Sequence, residues 1–81
     1  MTQSRVVIEN RTSKPMHFHV EPECIAFEIP VGKSAEIKGR CESEPITIQF
    51  SDDDEHGNFG AVYPGDGEIA ITIDGRNILG V

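Results

Sequence analysis

The chain has 81 residues and a mass of 8.9 kDa, which is the size of one small domain. With 37% hydrophobic and 26% charged residues, it is too apolar for a disordered chain and too polar for a membrane span. Its formal charge of -7 disfavours nucleic acids and anionic membranes as partners, because affinity for phosphate depends on Lys and Arg. We therefore expect a single domain over residues 1–81 that binds a protein, above all a basic one, or a cation.

The charge is unevenly distributed along the chain. Residues 1–41 hold six basic and five acidic side chains, whereas residues 42–81 hold Arg76 alone against nine acids. The start of the chain lacks the apolar region of a secretory signal, and Cys24 and Cys41 are too few for a disulfide scaffold. We expect a cytoplasmic protein with reduced thiols and an acidic second half.

Apolar and polar side chains alternate along most of the chain, with turn residues about every 8 to 12 positions. No segment shows a helical period. Seven or eight short strands of this kind predict an antiparallel β-sandwich or flattened barrel, because each apolar strand face must be covered by a second sheet. The predicted strands are Arg5–Glu9, Met16–Glu21, Cys24–Ile29, Ala35–Cys41, Ile46–Phe50, Phe59–Tyr63, Ile69–Ile73 and Asn77–Val81.

Two hairpins are predicted with a definite register. The first closes at Pro22-Glu23, so that Phe18 faces Phe27 on the apolar side and His17 faces Glu28 on the other side. The same register sets Glu21 opposite Cys24. The second hairpin closes at Asp74-Gly75, because a type I′ turn needs two residues that tolerate positive φ, and it would set Ile78 against Ile71.

His17 and His19 form the first candidate site. Alternate positions on a strand place both imidazoles on one face, and Glu28 across the hairpin or Glu23 in the turn would add a carboxylate. Such a set suits Zn²⁺, Ni²⁺ or Fe²⁺. The alternative is an ordinary solvent-facing pair in which His17 is only the cross-strand neighbour of Glu28.

The segment from His17 to Glu23 resembles the first half of the cupin signature, His-x-His followed by a glutamate. The resemblance implies a metal held by His17, His19 and Glu23. Gly32 stands nine residues after Glu23 rather than seven, and the second histidine signature of the family is absent. A cupin-like enzyme would therefore need a dimer to supply the missing ligand.

An acidic loop predicted over Ser51–Asn58 is the second candidate site. Alternating oxygen ligands followed by a glycine suit weak Ca²⁺ binding over Asp52–Asn58, although Tyr63 stands where an EF-hand has its bidentate glutamate. As a solvated loop, the segment is also the best surface for a basic protein partner. The residues concerned are Asp52, Asp53, Asp54, Glu55 and His56.

A wider resemblance covers most of the chain. Its turn residues are similar to those of small bacterial all-β proteins of unknown function, which implies a single all-β domain and no particular activity. The matching residues are Asn10, Thr12, Pro15, Val20-Glu21-Pro22, Pro30-Val31-Gly32, Pro64-Gly65 and Asp74-Gly75.

The sequence thus predicts a non-enzymatic β-sandwich that acts by protein–protein contact through its acidic second half. Exposed edge strands would also allow a homodimer, since pairing covers an edge. The alternative is a divalent-metal-binding, cupin-like module that uses His17, His19 and a nearby carboxylate.

Overall fold

Eight β-strands form two four-stranded sheets in a computed structural model, which describes residues 2–41, 43–53 and 57–79. The all-β prediction is confirmed, and the two sheets stay separate rather than closing into a barrel. Within the described residues there is no helix long and apolar enough to cross a membrane. The strands are β1 Thr2–Glu9, β2 Met16–Val20, β3 Ile25–Ile29, β4 Ser34–Cys41, β5 Thr47–Asp53, β6 Gly57–Tyr63, β7 Ile69–Ile73 and β8 Arg76–Leu79.

The first sheet, called sheet A, has the strand order β1-β4-β7-β8, and the second, sheet B, has the order β3-β2-β6-β5. Five of the six strand pairs are antiparallel, as predicted. The exception is the parallel pair of β2 with β6 in the middle of sheet B. Parallel neighbours need a long connection rather than a tight turn, so no local turn signal marks this pair in the sequence.

The core lies between the two sheets and follows the predicted alternation. The Phe18 and Phe27 rings stack with their centroids 5.2 Å apart, and the Phe50 ring meets Phe18 edge-on at 6.1 Å. Phe50 is nevertheless 62% exposed, because β5 is the edge strand of sheet B. The buried cluster comprises Phe18, Val20, Phe27, Ile29, Ala35, Ile37, Val62, Ile71 and Ile73.

The first predicted hairpin has the expected register but a different closure. Phe18 pairs with Phe27 and His17 with Glu28, as predicted. Cys24, however, is not the first residue of the third strand, because its φ of 58° is left-handed and an extended strand cannot contain it. The strand therefore begins at Ile25.

The second predicted hairpin has the expected turn but a shifted register. Asp74 and Gly75 have φ values of 53° and 80°, as a type I′ turn requires. Ile78 does not face Ile71, because a bulge in the β7–β8 pair sets Leu79 opposite Ile71. A bulge adds one residue to one strand, which leaves Ile78 42% exposed.

A buried asparagine joins sheet A to sheet B where β1 ends. Asn10 is 1% exposed, and its Nδ2 donates hydrogen bonds to the carbonyl oxygens of Lys14 at 2.8 Å and Ile29 at 2.9 Å. Its Oδ1 accepts from the backbone N–H and the hydroxyl of Thr12. The Asn10 backbone N–H donates to the Lys33 carbonyl, and its own carbonyl accepts from the Gly32 N–H. The side chain is therefore fully satisfied.

We expect Asn10→Asp to lower the free energy of unfolding by about 2–4 kcal/mol, because the carboxylate loses two donated bonds and faces two carbonyl oxygens. Urea unfolding measures this change. Asn77→Asp on exposed β8 has the same chemistry and should change stability much less. A loss at Asn10 no larger than that of the control would contradict the role of the buried amide.

Gly60 leaves room for the stacked phenylalanines. A β-carbon at this position would lie 2.5 Å from Cδ1 of the Phe18 ring. We expect Gly60→Ala to cost about 1–3 kcal/mol of stability, since the ring cannot move without disturbing its stack on Phe27. In a Phe18→Leu background the same substitution should cost less, and a thermal double-mutant cycle that shows no coupling would refute this contact.

Candidate functional site: the outer face of sheet B

The outer face of sheet B is built by the residues that alternate with its core positions. The register places Glu28, His17, Phe59 and Ser51 in one row across the four strands. The next row is Ala26, His19, Ala61 and Gln49. Tyr63 pairs with Thr47 beyond them, at the end where β2 also ends.

Aromatic rings and imidazoles occupy the middle of this face. The His19 ring lies tilted against the Phe59 ring, with centroids 5.7 Å apart. His17, His19 and Phe59 are half-buried, and Tyr63 is 39% exposed. Ala61 is buried between its neighbours on β2 and β5. The His19 and Phe59 rings pack on each other, and all four rings are partly exposed to solvent.

The two sheets carry opposite charge. The strands of sheet B, all of which lie in the described part of the chain, contain three acidic residues and no Lys or Arg. The strands of sheet A contain four of the seven Lys and Arg residues and two acids. Positive and negative strand residues are therefore separated between the two sheets. The expectation of an acidic second half of the chain captures only part of this separation.

Two of the four basic residues in the strands of sheet A pair with one carboxylate. The Arg5 Nε donates a hydrogen bond of 2.6 Å to Glu36 Oε2, and Lys38 Nζ lies 3.4 Å from Oε1. The hydrogen bond from Arg5 holds the pKa of Glu36 below its ordinary value of 4.5. The hydrogen bond from Lys38 lowers this pKa further, whereas desolvation of the carboxylate raises it.

The predicted histidine site is only partly brought together. His17 and Glu28 are cross-strand neighbours, and Glu23 is exposed in the turn after β2. Among the described residues, the group whose ligand atoms all lie within 4.8 Å of one another is instead His19, Glu21 and Cys24. Glu21 and Cys24 were not among the predicted metal ligands. The predicted hairpin register, which sets Glu21 opposite Cys24, did indicate that these two residues are neighbours.

The predicted acidic loop is shorter than expected. β5 and β6 pair as far as Asp53 and Gly57, so the loop prediction over Ser51–Asn58 is wrong at both ends. The ladder continues because backbone pairing does not need apolar side chains once a hairpin is in register. Asp52 is exposed at the end of β5, whereas Asp54, Glu55 and His56 lie outside the described residues.

The comparisons with known proteins add no relative. No family model, no curated protein and no solved structure matches this chain. The site therefore has to be interpreted from its own geometry and charge.

We expect Glu36→Gln to lower stability near neutral pH and to have little effect in acid. The pKa of Glu36 is lowered in the folded state, so its interactions stabilise the fold above pH 4.5 and are lost as the pH falls through the lowered pKa. Urea unfolding at neutral and acidic pH measures the difference. Glu9→Gln, which loses an exposed ion pair of 3.7 Å with Arg11, is the control. A deficit that grows in acid would contradict this assignment.

Proposed function

We propose that this domain is a protein-binding module that recognises an arginine-containing, basic segment of its partner on the outer face of sheet B. The observation that carries the proposal is the charge of that sheet. Its strands contain no Lys or Arg, and exposed or half-buried rings lie in the same row as the exposed carboxylate of Glu28 or next to it. Such a face attracts a cation that also has a flat apolar surface.

Carboxylates border the rings at the β3 edge and at the end of β2. Glu28 is exposed on the edge strand β3, in the same row as His17 and Phe59. Glu21 and Glu23 belong to the turn at the end of β2. A basic segment lying across the face would meet Glu28 at the β3 edge and Glu21 or Glu23 at the end of β2, and these charges would steer its approach.

Arginine fits this face better than lysine. Its planar guanidinium stacks on aromatic rings and pairs with a carboxylate through two parallel hydrogen bonds. Tyr63 and Phe59 offer ring surfaces on one strand, and Glu28 offers a carboxylate two strands away. An ammonium group would use the carboxylates but less of the ring surface.

The same charge division argues against sheet A as the binding surface. Arg5, Lys38 and Arg40 lie on sheet A and would repel a basic segment. The acidic loop predicted from the sequence has no part in the proposal, because Asp52 alternates with the outward-facing Ser51 and lies on the same side of β5 as Phe50. The proposed role is binding, and no covalent chemistry is assigned to the face.

The first test uses two synthetic peptides of equal length, one with several arginines separated by small residues and the other with citrulline in their place. Citrulline keeps the planar shape and removes the charge. We expect the arginine peptide to shift the amide signals of β2 and β6 in NMR spectra, with an affinity that falls as salt rises. Equal binding of the citrulline peptide, or shifts centred on sheet A, would contradict the proposal.

A pair of charge reversals provides the matched control. Glu28→Lys and Glu9→Lys change the net charge equally, but Glu28 lies on sheet B and Glu9 on sheet A. We expect Glu28→Lys to weaken binding of the arginine peptide by about fivefold, the equivalent of one ion pair of ~1 kcal/mol, and Glu9→Lys to weaken it much less. An equal loss in both variants would show that only net charge matters.

A further inference from the structure

A second group of possible ligand-binding residues lies where β2 ends. Its ligand would be different from the arginine-containing peptide discussed above. The geometry points to a transition-metal site formed by His19, Glu21 and Cys24, for which Zn²⁺ is the best-suited ion. One ligand atom from each residue lies within 4.8 Å of the other two. In the described part of the chain, no other set of three or more His, Cys, Asp or Glu side chains forms such a group.

The fold brings these three side chains together from a strand and a turn. His19 faces outward on β2, where its ring lies against Phe59. The Glu21 backbone N–H donates to the Val62 carbonyl at 2.9 Å, which extends the contact of β2 with β6 beyond Val20. Glu21 therefore continues the alternation that places His19 outward.

Cys24 joins the group through its unusual backbone. Its φ of 58° is in the left-handed region, which residues with a β-carbon seldom adopt. This conformation ends the turn before β3, and the Cys24 sulfur lies 3.8 Å from Nδ1 of His19. The thiol is exposed, so an ion can reach it without unfolding the hairpin.

The distances are close to those of a tetrahedral zinc site. Zinc bonds of about 2.3 Å to sulfur and about 2.0 Å to nitrogen place these two ligands about 3.6 Å apart. The observed separation of 3.8 Å between Cys24 Sγ and His19 Nδ1 needs almost no adjustment. Every pair of ligand atoms lies within 4.8 Å, so the carboxylate of Glu21 would approach by no more than roughly 1 Å through rotation of its side chain.

The chemistry of the ligands selects the ion. Thiolate and imidazole are preferred by Zn²⁺ and Co²⁺, whereas Ca²⁺ and Mg²⁺ require oxygen ligands. Three protein ligands leave the fourth tetrahedral position for water or another donor. The site differs from the one that the cupin resemblance implies, because it uses Cys24 and Glu21 and does not include His17 or Glu23.

The test is a titration of untagged, reduced protein with Zn²⁺ and Co²⁺ by calorimetry and absorption spectroscopy. We expect one ion per chain and, with Co²⁺, the charge-transfer absorption of a cobalt–thiolate bond. Cys24→Ser should abolish that absorption and weaken Zn²⁺ binding by more than about 100-fold, since loss of an outer-shell group alone costs about 10- to 100-fold. His19→Ala and Glu21→Gln should weaken it as well.

Two controls make the test specific. His17→Ala removes an imidazole from the same face of β2 and should leave the affinity unchanged. Cys24→Gly removes the ligand but suits the left-handed backbone, so it should fold with an equal or higher Tm while losing the metal. The site would be overturned if Zn²⁺ binding depended on His17 and Glu28 but not on Cys24. It would also be overturned if the protein showed no saturable binding of Zn²⁺ at all. The latter result would leave the Cys24–His19 contact as a thiol–imidazole hydrogen bond.

Discussion

The hydrogen bonds of Asn10 hold the two sheets in their relative position. Asn10 follows the last residue of β1 in sheet A, yet its side chain binds the carbonyl oxygen of Ile29 at the end of β3 in sheet B. Its backbone binds the turn that leads from β3 to β4. The chain crosses between the sheets in both of these connections, so one residue fixes both crossings. Thr12 completes the arrangement, which gives a physical reason for the Asn-x-Thr spacing noted in the sequence.

The parts of the fold that local patterns encode could be predicted from the sequence. Alternation specified the Phe18–Phe27 register, and Asp74-Gly75 specified a type I′ turn. The parallel pairing of β2 with β6 could not be predicted, because the two strands are about 40 residues apart and no turn residue records their contact. The bulge opposite Ile71 was missed for a related reason: it changes the register without changing the apolar pattern of β8.

The candidate sites show the same limit. His17 and His19 were placed correctly on one outward face, since strand alternation determines it. The predicted register already set Glu21 opposite Cys24, but the group of His19, Glu21 and Cys24 also depends on the left-handed backbone of Cys24, which no residue pattern indicates. The charge of the faces was also hidden, because sheet B combines strands from both halves of the chain. The net charge of successive segments of the sequence does not show which sheet each strand joins, so it cannot show the charge of each sheet.

The opposite net charges of the strands in the two sheets contribute an electric dipole moment directed across the layers of the sandwich. The positive end is at sheet A, with four basic and two acidic strand residues, and the negative end is at sheet B, with three acidic strand residues. Within about one Debye length of a charged surface, which is ~8 Å at physiological salt, this dipole moment would orient the domain before contact. A cationic surface would meet sheet B first.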